Sequence, residues 1–296
     1  MRVPTPPLFE APAAAWHPPA APPSSRAAVA YVDARSVLTK ASGFIGGYDF
    51  TLNPYSGCAF ACEYCYARFF APTEQQRDDW GEWVTVKANA CALVARACRT
   101  GRLESGDSVY MSSVTDPYQP LEQALGLTRA ILETVLAAGV QPRLTVQTRS
   151  PLATRDIDLF QRFERVRVNF TIGTDSEAVR LRYEPHAPAI HARLRAAEAV
   201  AAAGVPIGVS VSPMLPIADL EAFGAALASL DAHEYVTQYL HQPRQRFAAG
   251  SPAQALRTAR EDHWGMREYQ DARNTLARIL GAERPLLEGS AGFATA

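Results

Sequence analysis

The stretch TLNPYSGCAFACEYCY, residues 51–66, carries three of the five cysteines of this 296-residue chain. Cys58, Cys62 and Cys65 form a C-x-x-x-C-x-x-C run that directly follows a predicted strand, Tyr48–Asn53. Three thiolates at this spacing can hold three corners of a [4Fe–4S] cubane and leave the fourth iron without a protein ligand. The run therefore predicts a cluster with one iron open to another molecule.

Two alternatives to a cluster remain at this point. A structural zinc site needs a fourth cysteine or histidine at short spacing, whereas Cys91 lies 26 residues beyond Cys65 and the nearest histidine is His17. Buried thiols without any ligand role are the other alternative, although three of them on one loop would be an oxidation hazard.

Outward from this loop, short β-branched or aromatic runs alternate with longer segments of helical period, which is typical of repeated βα units around a parallel sheet. The predicted strands are Tyr48–Asn53, Ser108–Ser113, Leu144–Thr148, Val166–Ile172, Ile207–Val211 and Tyr235–Leu240. The predicted helices are about Ala88–Thr100, Glu122–Ala138, His191–Ala203 and Glu261–Leu280. Six units predict an α/β fold, a partial (β/α)6 TIM-like barrel that is open on one side.

Three regions are expected along the chain. Residues 1–35 form a disordered leader because they are dominated by proline and alanine. Residues 36–243 form the barrel, and residues 244–296 form a C-terminal helical extension.

Composition limits the classes of partner and compartment. The formal net charge of −1 and the pI of about 6.6 provide no global positive field for a polyanion. The cysteines are not spaced like a secreted disulfide framework, and no run of about 18 uncharged apolar residues is present. We therefore expect a cytoplasmic protein with no membrane partner.

Several ordered motifs resemble one known family. The segments are Thr51–Cys58, Cys65-Tyr66-Ala67-Arg68, Thr115–Pro120 with Glu122, Glu184-Pro185 and Gly204–Val209. Together they resemble the radical S-adenosylmethionine superfamily, within it the branch related to spore photoproduct lyase. The resemblance runs from about Tyr48 to Leu240.

The resemblance implies a radical SAM enzyme with two cofactors, a [4Fe–4S] cluster and S-adenosyl-L-methionine. In that family the open iron is chelated by the amino and carboxylate groups of S-adenosylmethionine. One electron, delivered by a reductase, flavodoxin or ferredoxin, cleaves the sulfonium to methionine and a 5′-deoxyadenosyl radical, which abstracts a hydrogen.

The cofactor-binding side chains are expected at the carboxyl ends of the strands, where barrels of this kind gather their chemistry. The candidates are Tyr64, Ser113, Thr115, Asp116, Thr148, Thr171, Glu184 and Ser210. Structural alternatives remain: Tyr64 can be ordinary packing, Asp116 can start a turn, Thr148 and Thr171 can be solvated polar loop residues, and Glu184 can form a helix-entry salt bridge. Arg149 follows the third strand and suits a bidentate carboxylate contact.

Residues that take part in the reaction are harder to identify. Cys91 and Cys98 are seven residues apart and share one helix face, which favours core packing over a role as thiol hydrogen donors. Gln238, Tyr239, His241 and Gln242 at the sixth strand are candidates for substrate contact, and Tyr239 is a further candidate for a catalytic role.

Three functions are compatible with these features. The composition favours radical chemistry on a small molecule, such as a nucleoside, nucleotide or natural-product precursor. The alternatives are a lyase that repairs a nucleic-acid lesion and a non-catalytic iron–sulfur or zinc scaffold.

Overall fold

The computed structural model describes residues 16–20, 23–240, 251–289 and 293. The strands are β1 Ala28–Val32, β2 Leu38–Lys40, β3 Phe50–Leu52, β4 Tyr55–Ser56, β5 Trp83–Lys87, β6 Ser108–Met111, β7 Arg143–Thr148, β8 Val166–Thr171, β9 Ile207–Val211, β10 Glu234–Thr237 and β11 Leu286–Glu288. The helices are α1 Glu74–Asp78, α2 Ala90–Arg99, α3 Glu122–Leu125, α4 Leu127–Ala137, α5 Ile157–Phe160, α6 Glu177–Tyr183, α7 Ile190–Ala202, α8 Leu220–Ser229, α9 Ala253–Glu261 and α10 Met266–Leu280. Short 3-10 helices lie at Gly43–Ile45, Tyr66–Phe70 and Pro151–Asp156.

The main sheet has eight strands in the order β11-β10-β9-β8-β7-β6-β3-β2. Every pair from β3 to β11 is parallel, and β2 alone runs antiparallel, against β3. The six predicted strands correspond to β3 and β6–β10, so the prediction of an α/β partial barrel is confirmed.

Alternation along the strands separates an apolar face from a polar one. In β8, Val168 and Phe170 are fully buried in the hydrophobic core that also contains helix residues, whereas Arg167 and Thr171 line cavities. Successive strand side chains point to opposite faces, so the second set faces the barrel interior. We call this polar side the inner face of the sheet.

The expectation of a disordered leader to residue 35 is wrong for its final part. Strand β1 pairs in parallel with β5 in a second, three-stranded sheet of order β1-β5-β4. β1 is half exposed, so its sequence carries little hydrophobic alternation. Its order depends on hydrogen bonds to β5, in which Trp83, 55 residues further along the chain, lies opposite Ala28. None of the three strands of this sheet was predicted.

The C-terminal segment was expected to be helical throughout, but it also contains a strand. β11 adds to β10 as a parallel strand and thereby continues the barrel sheet. A three-residue strand has too few residues to show a period.

Two of the predicted helices are interrupted. The helix expected over 122–138 breaks at Gly126, whose φ of +60° is incompatible with a continuous helix. The helix expected over 261–280 is α10 alone, because Gly265 caps its N-terminus and α9 ends at Glu261. Within the described residues, no helix is both long and apolar enough to span a bilayer.

Candidate functional site

The cysteine loop is shaped by Gly57 and by contacts to the segment that follows β6. Gly57 has a φ of +79°, and a Cβ there would lie 2.5 Å from the carbonyl oxygen of Trp83. Thr115 Oγ1 donates a hydrogen bond to the Gly57 carbonyl at 2.7 Å, and Gln119 Oε1 accepts one from the Ala59 amide at 2.9 Å. The two motifs, joined by contacts between residues 58 and 60 positions apart in the sequence, therefore hold each other in place.

One cavity joins this loop to the carboxyl ends of the parallel strands. Cys58, Cys62 and Cys65 all line it. From the strand ends it is lined by Ser112, Ser113, Thr115, Asp116, Gln147, Thr148, Arg149, Thr171, Ser210 and Ser212. Cysteines and strand-end polar groups thus face a shared space, as the barrel prediction requires.

The three thiols of the loop are a donor set that could hold a cluster. All three are free, and burial raises the pKa of Cys58 and Cys65 and raises that of Cys62 to about 12. They therefore remain protonated unless a cation stabilises the thiolates. Nowhere in the described part of the chain do three His, Cys, Asp or Glu side chains converge on a point that could hold one ion. Three free thiols on one loop suit a cubane, because each thiolate of a cubane binds a different iron.

Asp116 joins the β6 loop to the end of β7. Its Oδ1 accepts hydrogen bonds from Thr148 Oγ1 at 2.7 Å and from the Tyr118 amide at 2.9 Å, and its Oδ2 accepts one from the Arg149 amide at 2.9 Å. The carboxylate is 2% exposed, and burial raises its pKa above the usual range. Asp116 and Thr148 both border the cavity, but their polar atoms mainly fix the backbone that presents Arg149.

Tyr64 belongs to a buried network beneath the cavity. Its hydroxyl donates to Glu184 Oε1, and Arg193, which is fully buried, donates to Glu184 Oε2. Arg149 completes the network, with its Nε 3.8 Å from Glu184 Oε1. Although burial acts to raise the pKa of Glu184, Arg193 and Arg149 lower it below the ordinary value, so the group is ionised. Glu184 itself does not line the cavity; its contacts are those of a positioning residue.

Polar groups of the inner face continue the cavity towards the barrel interior. Gln147 Nε2 donates to Thr171 Oγ1 at 2.8 Å, and Ser210 lies on the neighbouring strand. Ser112 has a left-handed φ of +73°, and its buried Oγ has no hydrogen-bond partner among the described residues. Ser113 Oγ accepts from Asn53 Nδ2 at 3.3 Å. Ser112 thus borders the cavity with a hydroxyl that has no partner among the described residues.

Of the residues predicted to take part in the reaction, some border the cavity and others do not. Tyr239 lines the cavity, and its hydroxyl donates to the Trp264 carbonyl at 3.1 Å. Cys91 and Cys98 lie on α2 and do not border the cavity. His241 and Gln242 fall outside the described residues.

Sequence reasoning missed several residues of the cavity. Tyr110 and Gln147 stand two positions before Ser112 and Arg149, so the strand period of two would have placed them on the same face. Trp80 and Phe293 also border the cavity, but no local pattern marks them.

Comparisons with known proteins identify one family, several relatives and a set of structures of similar fold. The family model described as Radical SAM superfamily matches residues 52–230. An uncharacterized protein of Methanocaldococcus jannaschii is 34% identical over 172 residues, 58% of this chain and 62% of the relative. An uncharacterized protein of Acidianus two-tailed virus is 30% identical over 207 residues, 64% of this chain and 67% of the relative. The chain thus spans less than two thirds of the archaeal relative.

Among solved structures, spore photoproduct lyase complexed with dinucleoside spore photoproduct superposes with a TM-score of 0.61, at 16% identity over 88% of this chain and 81% of that one. A variant of that lyase with bound AdoMet and dinucleoside spore photoproduct gives a TM-score of 0.60, at 16% identity and with the same coverage. At this identity the likeness establishes a shared fold.

Proposed function

Because the chain belongs to the radical SAM superfamily, we propose that Cys58, Cys62 and Cys65 hold a [4Fe–4S] cluster and that the enzyme acts on a small organic substrate. When bound, the cluster supplies the electron that cleaves S-adenosylmethionine reductively, which yields a 5′-deoxyadenosyl radical for hydrogen abstraction. The observation that carries the proposal is the single cavity shared by three free thiols and the strand-end polar groups.

Arg149 and Ser112 are the groups proposed to receive S-adenosylmethionine. The Arg149 side chain is 17% exposed in the cavity wall, and its guanidinium can pair with a carboxylate. Ser112 Oγ is unpartnered among the described residues and can bond the amino group. Tyr64, fixed through Glu184, offers an aromatic face next to Cys62 and Cys65, on which the adenine can stack.

Anaerobic reconstitution tests the cluster and the radical chemistry together. The wild type is expected to bind about four irons and to form 5′-deoxyadenosine with a strong reductant. Cys62→Ala should lose the iron, whereas Cys98→Ala, which removes a free thiol outside the cavity, should keep both iron and activity. A protein that binds only zinc, or a Cys98→Ala variant that fails like Cys62→Ala, would refute the assignment.

The charge of the cavity supports a small substrate over a polynucleotide. Of the described residues that line it, Arg149 alone is basic, while most polar contacts come from hydroxyl and amide side chains. Binding a phosphodiester chain relies on several cations, whereas a nucleoside, nucleotide or natural-product precursor of similar size needs hydrogen bonds and few charges. Transfer of deuterium from labelled candidates into 5′-deoxyadenosine identifies the substrate.

Repair of a nucleic-acid lesion is the second candidate, and one surface feature favours it. Phe69 and Phe70 are 45% and 61% exposed on the 3-10 helix that begins directly after Cys65, and exposed aromatic rings can stack on bases. If the enzyme repairs lesions, Phe70→Ala should weaken binding of a damaged oligonucleotide about 5- to 100-fold. Leu181→Ala, at an equally exposed apolar site on α6, is the matched control. Absence of salt-sensitive oligonucleotide binding would eliminate this candidate.

A further inference from the structure

A second cavity lies at the opposite end of the barrel from the cysteine loop. Its walls include Ser108, Arg143, Val166, Pro206 and His233, each of which stands at or next to the beginning of a parallel strand. The volume of about 620 Å³ lies within the range of ~300–1,000 Å³ for small-molecule sites. Nothing in the proposed radical chemistry uses this space.

Arg167, on the inner face of β8, is the central residue of this cavity wall. It is 7% exposed, and its Nη1 donates to Glu234 Oε2 at 3.1 Å. Its Nε and Nη2 are buried and have no hydrogen-bond partner among the described residues. These two atoms form one edge of the guanidinium, the edge that bonds both oxygens of a carboxylate or two oxygens of a phosphate.

Two buried acceptors near Arg167 are also unpartnered in the described part of the chain. They are Glu234 Oε1 and Asn169 Oδ1, the latter one inner-face position further along β8; both lie next to Arg167 and are not themselves among the residues that line the cavity. A buried donor or acceptor without a partner is costly, so donors and acceptors left open on the same inner face favour a bound molecule that satisfies both.

The charged residues around the cavity indicate the charge of the bound molecule. Arg143, Arg165 and Arg167 line it against one acidic residue, Glu164, and the charge of Arg167 is itself paired with Glu234. Burial raises the pKa of Tyr48, another lining residue, so its hydroxyl stays neutral next to Arg167 and donates to Thr145 Oγ1 at 3.1 Å. The wall is therefore built for an anion.

We propose that this lower cavity binds a small organic oxyanion, a carboxylate or a phosphate monoester that also carries hydroxyl or amino groups. The free edge of Arg167 binds the oxyanion, and Glu234 and Asn169 accept hydrogen bonds from the hydroxyl or amino groups. The site is separate from the radical site, because Arg167 precedes Thr171 by four residues, about 13 Å along the strand.

The test is thermal unfolding of the full chain with malate, glycerol phosphate, inorganic phosphate and the uncharged analogue succinamide. Binding to the folded state raises Tm, by about 5–10 °C at a ligand concentration near 100 times Kd. We expect malate or glycerol phosphate to raise Tm and succinamide to have no effect. Comparison of malate with glycerol phosphate shows whether the site takes a carboxylate or a phosphate. A Tm shift that occurs with inorganic phosphate alone, and that is the same in Arg167→Gln, would contradict the proposal.

Variants assign the effect to Arg167. Arg167→Gln should weaken binding at least tenfold, whereas Arg195→Gln, which removes the same charge from an exposed position on α7 that does not line the cavity, should stay within about threefold of wild type. If Arg167→Gln does not fold, Arg167→Lys retains the charge without the two-donor edge and should show the same loss. For the wild type, ligand-induced shifts of an arginine Nε–H resonance that is absent in Arg167→Lys give a second measurement. Equal weakening by Arg195→Gln and Arg167→Gln, or no binding by any anion below 1 mM (about −4 kcal/mol), would overturn the assignment.

Discussion

Replacement of Arg193 by methionine probes the buried network beneath the cavity most directly. Arg193 and Glu184 have side chains that are each 1% exposed, so their ion pair is fully desolvated. Removal of one partner from a buried pair leaves an uncompensated charge and costs about 3–5 kcal/mol. Arg193 also donates to the Pro188 carbonyl at 2.9 Å and to the Thr171 carbonyl at 3.2 Å, which places the expected loss towards the upper end.

The loss should appear as a Tm lower by about 6–20 °C, measured by circular dichroism and checked by urea unfolding. Arg278→Met is the matched control, because the Arg278–Glu221 ion pair has side chains that are 64% and 67% exposed. An exposed pair contributes about 0–1 kcal/mol, so this variant should unfold close to the wild type.

The pH dependence gives a sharper version of the same prediction. In the wild type the pKa of Glu184 is lowered, so its contribution to stability is present above the unfolded-state pKa, about 4.3, and is lost as the pH falls through the folded-state pKa. In Arg193→Met the pKa of Glu184 should instead be raised, because burial of a carboxylate without its main partner favours the protonated form. The destabilisation should therefore be largest at neutral pH and should shrink as the pH falls.

The double variant Arg193→Met with Glu184→Gln decides whether the unpaired charge is the cause. It should recover part of the stability lost in Arg193→Met, because no charge remains buried. If the double variant is no more stable than the single one, and the single variant shows no relief at low pH, the cost lies in packing and the reasoning is refuted.

Three further predictions concern substitutions at Gly57, Asp116 and Gly208. Gly57→Ala should destabilise the fold by about 1–3 kcal/mol and reduce the iron bound on reconstitution, because its Cβ would lie 2.5 Å from the Trp83 carbonyl oxygen; iron analysis and thermal melts check both effects. Asp116→Asn should keep the iron but lower the yield of 5′-deoxyadenosine, because the new NH2 group would face a hydrogen-bond donor that the carboxylate now accepts from. Chromatography measures the yield of 5′-deoxyadenosine. Gly208→Ala should destabilise by about 1–3 kcal/mol in urea unfolding, because its Cβ would lie 2.2 Å from Asn169 Oδ1. Gly106→Ala is the control for Gly57→Ala, because its φ of +92° carries a similar backbone strain while its Cβ would meet nothing within 4 Å.

Much of the fold was accessible from local patterns. The cysteine spacing, the strand period of two and the helical period are all encoded within a few neighbouring residues, and they correctly predicted the six parallel strands and the family. The same period would also have placed Tyr110 and Gln147 in the cavity. These are features that the backbone geometry of one segment fixes by itself.

Other features depend on residues that only folding brings together. The sequence marks Tyr64, Glu184 and Arg193 separately, but a contact between positions 120 residues apart requires the barrel to close. For the same reason β1 and β11 were not foreseen, since each is ordered by a partner strand and not by its own pattern. The sequence by itself determined the cysteine loop and the barrel class, whereas the tertiary structure alone decided which polar groups are buried, paired or left open, because burial and pairing depend on distances across the fold.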